Sequence, residues 1–381
     1  MFLTLAPSFL AILLNSGNAD PQTGSADALR DKILRGYAEH VAAEYRLTLA
    51  SAEQLRAAVE AFCWQPTEAG LKRARDTWIA AREIYGRTEV FRFGNGPIDS
   101  RRVGVETFIN AWPVDEAYID SNEGTVNLGI VGDPAKYPAL DRTILRLHNQ
   151  RGGETNVCTG WHAIEFVLWG KDQSETGPGA RPVTDFVDGK SPHADRRREY
   201  LREITAMICE DLSTLVAAWR EGEPNYRARF EANPKESVKS MLAGPALLTA
   251  FEMSGERMAV AFETRDQEEE TSCFSDTTHL DFRANMRGVV AVMRSTARGG
   301  LIALVRSASP ERAQALEAAL DLAVVAVDQI PAPFDRAIQT ADGSAEREKI
   351  RTAIESLELL GAEVGRSAKA LGYNLPTEPK G

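Results

Sequence analysis

Much that would assign this chain to a familiar class is missing from it. There are four cysteines, Cys63, Cys158, Cys209 and Cys273, and no two form a CxxC pair, so that metal or redox motif is excluded. After the opening residues no run approaches the ~18 to 20 apolar positions that a membrane-spanning helix needs. No dense Lys/Arg cluster offsets a formal net charge of −11, which argues against nucleic acid backbones as partners and suits cations. HExxH is absent, and the inverted HxxEH fails because Phe166 follows Glu165. No GxSxG, P-loop or strand-to-helix GxGxxG appears either. These absences remove the recognised zinc-peptidase helices and most hydrolase and nucleotide-binding readings.

What remains is an ordinary globular composition, 43% apolar and 26% charged, in 381 residues, enough for two domains or one large one. Residues 1–19 are uncharged and include the apolar run Phe2 to Leu14, followed by the small residues Gly17 and Ala19. This predicts a secretory signal removed after about Ala19 and a periplasmic, secreted or outer-surface address. Export makes the four cysteines candidates for disulfides, with three connectivities open. Alternatively, Cys158 lies one helical turn before His162 and could supply a thiolate ligand.

Helical periodicity dominates beyond residue 26. It predicts helices at roughly 27–63, 66–91, 139–150, 157–169, 194–220, 235–263, 277–298, 309–330 and 345–371, with long loops at 94–138 and 170–193. The order of long helix, proline break and second helix around Pro66 recurs around Pro331 and Pro333, which hints at duplication. The expected fold is therefore all-α, with two helical-bundle halves, each four-helix-bundle-like, at 27–222 and 235–375.

Three segments carry candidate chemistry. Val157 to Trp169 reads as a buried helix on which His162 and Glu165 share a face beside Val157, Trp161, Ile164 and Leu168. Buried ionisable groups need partners, and an i, i+3 His/carboxylate pair can give two ligands to one cation. The plainer reading is a neutral histidine bonded to glutamate. In Thr88 to Asp99, Glu89 falls on the core-facing stripe set by Trp78 and Tyr85, with an ion pair to Arg92 or Arg82 as the plain alternative. The Gly94 to Pro97 turn then aims Asp99 back toward the helix end. In Asp266 to Asp281, Ser275 or Asp276 reads as an N-cap that puts His279 in the first turn, while Asp266 to Glu270 reads as a solvated acidic loop. His40, His148 and His193 have no such company.

Together these segments resemble the imelysin-like family. The likeness rests on Gly160-x-His162-x-x-Glu165 within Gly-Trp-His-Ala-Ile-Glu-Phe-Val-Leu-Trp-Gly and on Thr-Glu-Val-Phe-Arg-Phe-Gly-Asn-Gly-Pro-Ile-Asp at 88–99. It also includes Asn-Ala-Trp-Pro-Val-Asp-Glu-Ala at 110–117, Gly-Glu-Arg at 255–257 and Ser-Cys-Phe-Ser-Asp-Thr-Thr-His at 272–279. The resemblance implies a signal-bearing, two-bundle helical protein whose motif residues gather near the interface. Carried over, the metal site comprises His162, Glu165, Glu89 and Asp99, lined by Arg92, Ser275, Asp276 and His279. It implies iron as the expected cofactor, with zinc as the other metal, and a membrane-bound iron-uptake partner. Three functions are compatible with the residues: iron binding for acquisition or homeostasis, a metallopeptidase, and a binding module for a non-metal ligand or protein.

Overall fold

A computed structural model describes residues 21–120, 128–174, 177–294, 298–376 and 378. The expected signal segment at 1–19 lies outside them. Every regular element among the described residues is helical, in agreement with the all-α expectation. Among the described residues, the α-helices of eight residues or more are α1 (Pro21–Trp64), α2 (Glu68–Gly86), α3 (Trp161–Trp169), α4 (Ala194–Ala218), α5 (Pro234–Leu247), α6 (Thr278–Arg294), α7 (Leu301–Ala308), α8 (Pro310–Asp328) and α9 (Ala345–Ala370).

Local sequence explains their limits. The stripe Ile33, Leu34, Tyr37, Ala38, Val41, Ala42 and Tyr45 buries one face of α1 at helical spacing. Pro66 separates α1 from α2, whose N-cap Thr67 accepts a hydrogen bond from the Gly70 amide. The periodicity predicts α2 through residue 91; the regular helix stops at Gly86, and Glu89–Phe91 forms a separate 3-10 turn. α5 runs on through a π-helical stretch, Leu248–Ala259, into Val260–Thr264, with Pro245 inside it. The long loops contain short helical turns at Glu106–Ile109, Glu116–Ile119, Gly129–Gly132 and Val183–Phe186.

α1 packs along α2 and α4, and α3 lies against α2 and α4. In the later sequence α9 packs on α8, α5 and the π-helical stretch, while α6 reaches across to α2. Buried apolar side chains from Ile33 to Ala368 form one continuous cluster through all of these layers. The joint near the 3-10 turn depends on Gly244 of α5, where an added Cβ would lie 2.0 Å from the Val90 carbonyl oxygen. Only hydrogen lets these two backbones approach so closely.

Candidate functional site

The nine residues of α3 are all buried. The helix starts four residues later than periodicity predicts, because Gly160 adopts φ +93° and sits against the Ile109 carbonyl, where a Cβ would approach within 2.5 Å. Cys158 is therefore outside the helix. Its thiol donates to the Leu145 carbonyl at 3.4 Å, and burial pushes its pKa upward, which opposes the thiolate role. All four cysteines are buried free thiols, so the expected disulfides do not form. At the other end of α3, Arg75 donates to the Leu168 carbonyl at 2.7 Å and the Arg181 amide to the Trp169 carbonyl at 2.7 Å, satisfying carbonyls that a helix end leaves open. Trp78 Nε1 donates to the Trp161 carbonyl at 3.0 Å, tying α3 to α2.

This anchoring fixes His162 and Glu165. His162 Nδ1 lies 3.1 Å from Glu165 Oε2. The other carboxylate oxygen accepts from both the amide and the hydroxyl of Ser275, at 3.0 and 2.7 Å. Burial raises the Glu165 pKa from 4.5 to about 8. Burial, reinforced by the charges of Arg82 and Arg257, holds the His162 pKa well below its ordinary value, so the imidazole is neutral. His162 Nε2 is buried and has no hydrogen-bond partner.

Glu89 has a different environment. Oε1 accepts from Asn110 at 2.7 Å, and Oε2 accepts from Arg257 at 2.6 Å and Arg92 at 3.2 Å. Burial pushes its pKa up, but Arg257, Arg92 and Arg82 outweigh burial and bring it to about 2. Arg82 pairs instead with Asp281 at 3.0 Å and with Asn110, and Ser272 Oγ donates to Asp281 at 2.6 Å. Arg92 also meets Glu106 at 3.3 Å and Glu252 at 3.1 Å. The plain reading of Glu89 as an ion-pair partner of Arg92 is what the geometry contains, with Arg257 as the shorter contact.

A cavity of about 150 Å³ opens beside this network, lined among others by Arg92, Glu106, Trp112, Glu252, Arg257 and Thr271. Arg92 Nε, Trp112 Nε1 and Thr271 Oγ1 are buried there without partners. Asp99 belongs to a different setting: it accepts from the amides of Asn95 and Gly96, at 3.2 and 2.7 Å, and so closes its own turn. His279 stands in the first turn of α6, but the helix begins at Thr278, so neither Ser275 nor Asp276 is the expected N-cap; burial and Arg283 lower the His279 pKa.

The acidic loop departs from expectation at its end. Glu270 is 1% exposed, not solvated. Its carboxylate, that of Asp276 and that of Asp335 bring ligand-capable oxygens within 4.8 Å of one another. Asp276 occupies this position in a left-handed conformation, φ +56°. The segment Glu270 to Thr278 thus touches three clusters: Ser272 reaches Asp281, Ser275 holds Glu165, and Glu270 and Asp276 face Asp335.

Sequence reasoning missed Arg82 as an Asp281 partner, Arg257, Asn110, Glu270 and Asp335. The motif Gly255-Glu256-Arg257 was the available signal for Arg257; nothing local distinguishes Asp335.

The profile of the imelysin family matches residues 41–361. The chain is similar to iron-regulated protein A of Synechococcus elongatus, 25% identical over 351 residues covering 88% of this chain and 85% of that protein. It also superposes on the crystal structure of a protein provisionally named an iron-regulated protein A precursor, from Parabacteroides distasonis. That match has a TM-score of 0.71 at 16% identity over 93% of this chain and 97% of the other, a likeness of fold. With the family profile spanning most of the sequence and the same helical fold in a solved structure, this chain belongs to the imelysin family.

Proposed function

We propose that this is an exported metal-binding protein of iron acquisition or homeostasis, taking iron through His162. The observation that carries the reading is the state of that imidazole: neutral, buried, held at Nδ1 by Glu165, with Nε2 unpartnered. Metal-ligating histidines are commonly oriented in this way, by a carboxylate on the nitrogen that does not bind the metal; Glu165, raised to about 8, would release its proton as the ion binds, so that Nδ1–H donates to Oε2 and the Nε2 lone pair is free. Glu165 then acts as a positioning residue, itself fixed by Ser275. Glu89 would join the metal only by giving up Arg257 and Arg92, so its role is to neutralise those guanidinium groups. Asp99 supports the turn beside Arg92 and Glu89. The relative's name, iron-regulated protein A, supports iron over zinc. Among the described residues no helix is long and apolar enough to cross a membrane; a membrane-bound iron-uptake partner remains part of the proposal.

A catalytic zinc site needs about three protein ligands and an open position. Glu89 is engaged by Asn110, Arg257 and Arg92, and Glu165 by Ser275 and His162, so neither stands free as a further zinc ligand, and we favour binding over peptidase chemistry. The non-metal reading has its own support in the cavity of about 150 Å³, whose lining includes Arg92, Arg257 and Trp112, side chains suited to a small ligand bearing oxygen acceptors.

The test is a calorimetric titration of residues 20–381 with ferrous, ferric and zinc ions, beside His162→Ala. Iron uptake lost in the variant is the expected result. Equal affinity in both proteins would remove His162 as the ligand.

A further inference from the structure

The carboxylates of Glu270, Asp276 and Asp335 stand apart from the His162 assignment. Glu270 and Asp335 are each 1% exposed. Both oxygens of Glu270 and one oxygen each of Asp276 and Asp335 lack hydrogen-bond partners. Asp172, 4% exposed, lies within hydrogen-bonding reach of the Asp276 carboxyl, and burial, followed by the charges of Asp335 and Asp172, raises the Asp276 pKa. The exposed Arg336 offsets part of this negative charge. Buried carboxylates normally satisfy their oxygens with donors, as Glu89 and Glu165 do here, and an uncompensated group of three is costly. Oxygen-only ligand sets of this kind are what hard cations take.

We propose that Glu270, Asp276 and Asp335 form a second site, for a hard divalent cation of the calcium or manganese class. Asp172 stands at its edge. The ligands come from a loop and from the start of the helix Phe334–Gln339, so the ion ties these segments together. Asp276 directly follows Ser275, and a cation there holds in place the residue that clasps Glu165. The site does not depend on metal binding at His162, and the two fail separately.

Manganese and calcium titrations of the full protein, of Glu270→Gln, of Asp335→Asn and of His162→Ala test it. Wild type and His162→Ala should each take up one ion and melt at a higher temperature in its presence. Glu270→Gln and Asp335→Asn should bind at least about tenfold more weakly and show little thermal response. These changes remove buried charge without removing volume, so the variants are expected to fold. Anomalous scattering from manganese-soaked wild-type crystals gives the same answer without any variant, as a peak between the three carboxylates. No uptake at millimolar manganese and calcium, unchanged affinity in both carboxylate variants, or a peak elsewhere would each overturn the proposal.

Discussion

Glu89 and Glu165 are both buried glutamates, and their pKa values move in opposite directions because of their partners. Glu89 faces three guanidinium groups and falls to about 2; Glu165 is held chiefly by Ser275 and a neutral histidine and rises to about 8. Glu89→Gln leaves Arg257 and Arg92 without their shared carboxylate and should cost about 3–5 kcal/mol, as breaking one side of a buried ion pair does. Glu165→Gln exchanges one neutral hydrogen-bonding group for another and should cost about 1 kcal/mol. Urea unfolding of the two variants measures the difference. The His162 and Glu165 pair was legible because both lie within one helical turn. Arg257 and Arg82 were not, since their partners Glu89 and Asp281 lie 168 and 199 residues away. Buried charge declares that a partner is needed without naming it.

At the level of elements, the site depends on where helices stop and how closely they meet. Periodicity located the long helices, because one apolar stripe per helix is written directly in the sequence. It did not place the start of α3, which depends on the positive φ of Gly160, or the π-helical stretch that carries Glu252 and Arg257. A π-helical stretch has no apolar period of its own, and such segments frequently accompany functional sites. Two glycines of this continuous helix make opposite predictions. Gly244→Ala drives a methyl into the Val90 carbonyl and should destabilise the protein by about 1–3 kcal/mol while displacing Glu89. Gly255 has nothing within 4 Å of an added Cβ, and Gly255→Ala should be neutral or stabilising by up to about 1 kcal/mol. Thermal melts of the pair test whether close backbone approach sets the joint.

For the whole molecule, the two bundle ranges read from the sequence remain our proposal for its organisation, set within one continuous core. The buried ionisable groups give the fold a defined pH response. Glu165 and Asp276 have raised values, about 8 and about 7, so the native state binds more protons than the unfolded chain above their ordinary values of 4.5 and 3.8. Their contribution is full below those ordinary values and is lost as pH rises through the native ones. His162 and His279 are lowered and act oppositely, losing stability as pH falls below 6.5. Between pH 6.5 and 8 the carboxyl groups therefore dominate. The melting temperature should fall across that window, and Glu165→Gln should flatten the fall; a rise with pH would contradict these assignments.

In the proposed site His162 supplies an imidazole nitrogen to iron. X-ray absorption at the iron edge, on wild type and His162→Ala loaded to one equivalent, reads that bond. Wild type should show an imidazole scattering signature that disappears in the variant. An all-oxygen iron shell, the same in both proteins, would rule His162 out as a ligand.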